Sequence, residues 1–160
     1  MTDPAVALDI SLEEAASPRV SAFDAYWRAK CADGRLPMRS AIDPAEIKPL
    51  LPFLLIAEIE TAPFRVRYRL DGSQNASING PFTNQYLDEL EQQPSDLRNV
   101  LSIAYQTSVG ERRPVYCRHH VLTRSGVKLP ASAGIWPLAD ADGSGRVTRC
   151  VGLEDYPDLG

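Results

Sequence analysis

The chain has 160 residues, 44% of them hydrophobic and 24% charged. That size and balance fit one globular domain with a full core and exclude wholesale disorder. A net charge of −4 argues against general nucleic-acid affinity, which depends on neutralising phosphates.

Residues 1–16 carry acidic side chains where an export signal needs a basic start, and they hold no continuous apolar stretch. They read as a flexible N-terminal arm of a cytoplasmic protein; a single domain is expected over 17–160. Ser17-Pro18 offers a helix N-cap followed by a residue with no amide to leave unbonded. Val20, Phe23, Tyr26, Trp27 and Lys30 then recur at helical spacing, which predicts a helix over Pro18–Ala32 that stops near Gly34. Asp43-Pro44 repeats the cap, with Glu46 in the first turn. Pro49 keeps this second helix short because it disfavours helical geometry at Lys48, and Pro52 ends it. Phe53–Glu60 is rich in branched residues and then alternates, as a strand does.

The stretch "FRVRYRL", residues 64–70, alternates strictly and predicts a strand with one wet face, joined to the preceding one by a hairpin at 61–63. Residues 71–94 are turn-rich, with room for short helical turns around Asn75–Ile78 and Tyr86–Leu90. Leu97, Val100, Leu101, Ala104, Tyr105 and Ser108 predict a long helix over Ser95–Val109, ended by Gly110. Three strands are expected after it: Val115–Leu122, Lys128–Leu138 and Val147–Leu153. The turn at Ser125-Gly126 and the loop "ADADGSGR", residues 139–146, separate them. The longest dense apolar run, "LLPFLLIA" at 50–57, is too short to cross a bilayer, so no membrane insertion is expected.

Little in the chain announces catalysis. It contains no GxSxG, HExxH or P-loop pattern, so no catalytic residue is assigned and no enzyme is expected. His119 and His120 are adjacent in a strand and point to opposite faces. Cys117 and His119 share a face, with Cys150 on the last strand as the candidate third ligand. Without a second ligand pair, neither a metal nor any other cofactor is expected. Three cysteines without CxxC spacing suit a reducing compartment. Arg65, Arg67 and Arg69 share one face, with Arg112, Arg113, Arg118, Arg124 and Lys128 in neighbouring segments. That surface reads either as solvated charge or as a dock for an acidic partner or a phosphorylated ligand. "ASAG", residues 131–134, puts very small side chains in a central strand, which implies close packing or a cavity. Tyr68, Tyr105, Tyr116 and Trp136, with Tyr86 and Arg118, are the candidate ligand contacts.

Several stretches resemble one family. "YWRAKCADGRLPMRSAIDPAEIKPLLPFLLIAEIE", residues 26–60, resembles the entry region of compact single-domain bacterial PAS-like proteins: a Tyr-Trp helix, a Leu-Pro turn, an Asp-Pro helix and a Leu-Pro-x-Leu entry into the first strand. "YRLDGS" at 68–73, "YLDEL" at 86–90, "RRPVY" at 112–116, "WPL" at 136–138 and "CVG" at 150–152 continue the likeness over residues 20–153. Gly72-Ser73 stands where the family often has Gly-Thr, and "NGPFTNQ" lacks the family's Arg-Asp and Thr-Gly pairs. The resemblance implies an α+β fold: a five-stranded antiparallel sheet with helices on one face and an extra N-terminal helix. It also implies a signal-transduction module that senses a small ligand or docks on signalling proteins such as histidine kinases or receivers. With no room for an output domain, such a module acts through a separate protein. The expected function is that of a non-catalytic regulator or adaptor. Tyr26, Trp27, Arg65, Arg67 and Arg69 are its candidate partner interface, and the Tyr26/Trp27 helix is a candidate homodimer element. The alternatives are a sensor of an anionic or nucleotide-like molecule and a small enzyme of unrecognised type.

Overall fold

In the computed structural model, residues 7–73, 82–90, 93–123 and 125–156 are described. The turn expected around 75–78, Arg124 and the first six residues of the expected arm lie outside them. The rest of that arm is built into the fold. Ala7–Ile10 forms strand β1, antiparallel to the later strand β4 (Val115–Leu122). Leu12–Ala15 forms a single helical turn, α1, closed by a capping box in which Ser11 and Glu14 each bond the other's backbone amide. "ALDI" is short and carries Asp9 at its centre, so it lacks the alternation that marks a strand. Pairing with β4 orders it nonetheless.

Helix α2 (Pro18–Lys30) begins as the sequence predicts. The Ser17 Oγ accepts from the Val20 amide at 3.0 Å, and Pro18 occupies the first turn. It ends at Cys31, ahead of the Gly34 turn. The proline-rich stretch gives two 3₁₀ turns, Pro44–Glu46 and Lys48–Phe53, and the second runs through Pro52 where a stop was expected. Strand β2 (Leu54–Glu60) follows, and a hairpin leads to β3 (Arg65–Asp71). Another 3₁₀ turn, Leu87–Glu89, precedes helix α3 (Ser95–Glu111). That helix passes through Gly110; Arg112 takes the left-handed conformation that caps it. Strands β4, β5 (Lys128–Ala139) and β6 (Val147–Asp155) complete the chain. Strand β6 outruns its expected end because Glu154 and Asp155, which read as a solvated exit, are buried.

The strands form one antiparallel sheet in the order β1-β4-β5-β6-β2-β3. The expected five strands are present, and β1 adds a sixth. Both faces are covered. On one face α3 lays Ala104 and Tyr105 over Leu55, Ala57, Tyr68, Val115, Ile135 and Cys150. On the other, α2 lays Val20, Phe23 and Trp27 over Trp136, Leu138, Val151 and Leu153. The α2 face explains Gly134. The Trp136 indole folds back over this glycine, and any Cβ there would overlap the ring. Among the described residues, no helix is long and apolar enough to cross a membrane.

Gly134→Ala is therefore expected to force Trp136 off its site and to destabilise the fold by about 1–3 kcal/mol, the usual cost of overpacking. Urea denaturation followed by tryptophan fluorescence measures this, and an unchanged midpoint would contradict it.

Candidate functional site

Among the described residues, buried charged groups gather in two places, one beneath α2 and one on the α3 face. The first lies under α2. Asp24 is 3% exposed, yet its carboxylate accepts from the Trp136 indole Nε1 at 3.0 Å, from Arg28 Nε at 2.7 Å and from the Tyr116 hydroxyl. Arg28 sits one turn further along α2 and also donates to the Tyr116 oxygen at 3.2 Å. Burial and the bond to Asp24 push the Tyr116 phenol up to about 12. Two further bonds fix the helix. The Trp27 indole donates to the Pro137 carbonyl at 3.1 Å. At its start, Ser17 Oγ donates to Asp155 at 2.6 Å while Arg19 donates to the other oxygen of that carboxylate at 2.8 Å.

The second cluster lies on the α3 face. His119 is 2% exposed. Its Nε2 meets Glu154 at 3.0 Å, and its Nδ1 lies 4.0 Å from the Cys117 sulfur. The Tyr156 hydroxyl donates to the other Glu154 oxygen. The sheet register explains the meeting: Cys117 pairs with Ala133, and Ala133 with Glu154, across three strands. Ala131 and Ala133 carry only methyl groups, so side chains from β4 and β6 can meet above β5. Burial alone would lower the His119 pKa. The contacts with Cys117 and Glu154 outweigh it and raise the ring to about 10, so His119 is a cation paired with Glu154. Nearby, the Tyr105 and Tyr68 hydroxyls share a hydrogen bond, and burial holds the Tyr105 phenol well above its ordinary range.

The six candidate ligand contacts do not converge. Tyr68 and Tyr105 pack together with Phe82 on the α3 face. Tyr116 and Trp136 pack edge-on under α2. Tyr86 lies outside β3 with its hydroxyl on Glu60 at 2.7 Å, and Arg118 is exposed on β4. Cys150 does not complete a set with Cys117 and His119, because it registers with Pro137 whereas Cys117 registers with Ala133, further along β5. Among the described residues, no three His, Cys, Asp or Glu side chains gather as metal ligands.

The candidate partner residues also separate. Trp27 is 4% exposed and belongs to this protein's own core, because α2 covers the sheet of the same chain. Tyr26 is half-buried; its hydroxyl donates to Glu46 and accepts from the Asp43 amide. The three arginines do share one margin of the sheet. Arg65 forks onto Asp88 at 2.7 and 2.9 Å, reaches Glu89 at 2.6 Å, and lies 3.6 Å from the centre of the Tyr86 ring. Arg69 meets Glu58 at 3.3 Å and Asn84 at 3.1 Å. Arg67, between them, has no carboxylate partner among the described residues, and its Nε is buried without an acceptor.

Sequence reasoning missed Asp24, Asp155, Glu154 and Tyr156. Acidic side chains are seldom buried unless paired. The one signal available was their position: Asp24 sits one residue from Phe23, on the apolar side of α2.

A family model for the PAS domain matches residues 15–153. No curated protein matches the chain. Among solved structures it is similar to an RNA-binding light-oxygen-voltage receptor, at 15% identity and a TM-score of 0.51, over 78% of this chain and 35% of that one. It is similar to the N-terminal domain of a diguanylate cyclase with a PAS/PAC sensor from Marinobacter aquaeolei, at 14% identity and a TM-score of 0.50, over 66% and 96% of the two chains. It is also similar to VqmA from Vibrio cholera, solved with ligand and DNA, at 9% identity and a TM-score of 0.54, over 72% and 51%. At these identities the likeness is one of fold. The chain spans about a third of the light-oxygen-voltage receptor and about half of VqmA.

The His119–Glu154 pair has a pH signature. A ring raised from 6.5 to about 10 on folding stabilises the protein fully below about pH 6.5, and this contribution fades as pH rises through about 10. His119→Gln is expected to cost about 3–5 kcal/mol at pH 6, the usual penalty for breaking a buried pair, and clearly less at pH 9.5. Urea denaturation at both pH values measures the difference; a cost that does not change with pH would remove the charged pair from this account.

Proposed function

The chain belongs to the PAS domain family, and from that premise we propose that it is a non-catalytic signalling module. In this reading it regulates a separate signalling protein, such as a histidine kinase or a receiver, by docking through the β3 margin of its sheet. The observation that carries the reading is Arg67. Its two neighbours are each matched by carboxylates, whereas its own buried Nε has no acceptor among the described residues. A buried donor without a partner is costly. Arginine fixed in place by its neighbours is also the kind of residue that dominates interfaces. The residue as a whole is only half-buried, so an acidic group on a partner would pair with the remainder of its guanidinium.

Two further observations support a docking role over an occupied core. The aromatic side chains that looked fit to line a cavity are packed against one another on opposite sides of the sheet. The small residues of β5 are covered by Trp136 on one face and bridged by His119 and Glu154 on the other. The similar domains from the light-oxygen-voltage receptor and the diguanylate cyclase belong to regulatory proteins, which accords with a signalling role here.

Purified histidine kinases and receivers from the source organism, tested one by one against the immobilised protein, provide the check. At least one is expected to bind, and Arg67→Glu is expected to weaken that binding tenfold or more in a protein that remains folded by circular dichroism. Absence of binding across the set, or binding indifferent to Arg67→Glu, would overturn the proposal.

A further inference from the structure

Between β3 and the first turns of α3 lies a cleft of about 170 Å³. Phe64, Val66 and Leu87 line its apolar side. From α3 it receives Ser95, Arg98, Asn99 and Ser102, spaced i, i+3, i+4 and i+7, which is one stripe of the helix. A helical stripe turned toward a sheet is ordinarily apolar. Here a polar stripe faces apolar side chains across a gap that the protein leaves unfilled. Such a gap suits an occupant that is polar on one side and apolar on the other.

Arg98 sets the charge of that occupant. Its Nη1 donates to the Asp88 carbonyl at 2.7 Å. Its Nε is buried, with no partner among the described residues. Arg65 takes up both oxygens of the Asp88 carboxylate and one of Glu89. The Arg98 guanidinium is thus held in place with no carboxylate of its own among the described residues. Arg98 lines the cleft, and a guanidinium without a carboxylate of its own meets an anionic group through charge-assisted hydrogen bonds.

We propose that the β3–α3 cleft binds a small carboxylate with a compact apolar body. Size limits the body, because pockets for drug-sized ligands run from about 300 to 1,000 Å³, while an apolar cavity of about 150 Å³ is enough for benzene. Inorganic phosphate has the charge but nothing to cover Phe64, Val66 and Leu87. The site goes beyond the docking role and adjoins it: Arg65 and Asp88 also line the cleft, whereas Arg67 points to the face of β3 opposite Val66.

Titrating the full chain with benzoate, and in parallel with benzamide and inorganic phosphate, tests this by amide NMR. Benzoate is expected to shift the amides of 64–66, 87–88 and 95–102 saturably, and the two other probes to bind at least tenfold more weakly. Arg98→Gln is expected to weaken benzoate tenfold or more. Ser102→Leu, which places a larger side chain in the gap, is expected to abolish binding while the rest of the spectrum is kept. The proposal is overturned if benzoate leaves these amides in place, if benzamide or phosphate matches it, or if Ser102→Leu binds benzoate like the parent. A folded Arg98→Gln protein that binds benzoate unchanged overturns it equally.

Discussion

Asp24 lies almost wholly out of water and accepts hydrogen bonds from an indole, a phenol and a guanidinium. A lone carboxylate in that position would be prohibitive, since burying an ion costs several kcal/mol even after relaxation. Surrounded by donors from α2, β4 and β5, it becomes the joint between helix and sheet. The rest of the α2 layer follows from it. Trp136 is aimed at Asp24, so it folds over Gly134. Phe23 meets Trp136 edge to face at 4.6 Å, and Trp27 reaches the Pro137 carbonyl. Polar groups set the alignment and apolar area supplies most of the stabilisation, the usual division of labour in a core.

Strand β5 serves the two faces differently through the same trait. Its even-numbered side gives up a side chain at Gly134 so that an indole can lie flat against the backbone. Its odd-numbered side is trimmed to methyl groups at Ala131 and Ala133, so that His119 and Glu154 can meet above it. Minimal side chains in a central strand look from sequence like a vacancy for a ligand. In this protein the space is taken by larger neighbours, an indole on one face and an ion pair on the other.

What could be read in advance depended on whether a signal was local. "FRVRYRL" is a strand because alternation is a property of the segment itself, and Ser17-Pro18 is a helix start because the cap is made within three residues. Both readings match the structure. Trp27 lies on the apolar face of its helix, as the spacing implies, but spacing does not say whose surface that face covers; the answer is this chain's own sheet. The shared orientation of Cys117 and His119 was legible for the same local reason. Their true neighbour was not, because register is a property of the whole sheet, and it brings Glu154 of β6, not Cys150 of the same strand, beside His119. The buried ends of β6 and the strand β1 were hidden by charge: Glu154, Asp155 and Asp9 each resemble a solvated residue until the partner that holds it is in view.

The outer boundaries of the sheet have a consequence of their own. Beyond β3 the chain returns: Asn84 donates its amide to the Tyr68 carbonyl, and the Tyr68 amide donates to the Gln85 carbonyl. At the opposite boundary β1 is four residues long and bent by Asp9 in a left-handed conformation, where Arg113 clasps its carboxylate. A short or bent border strand is a poor template for another backbone. Neither border therefore invites ladder growth, so the molecule should resist fibril-like self-association.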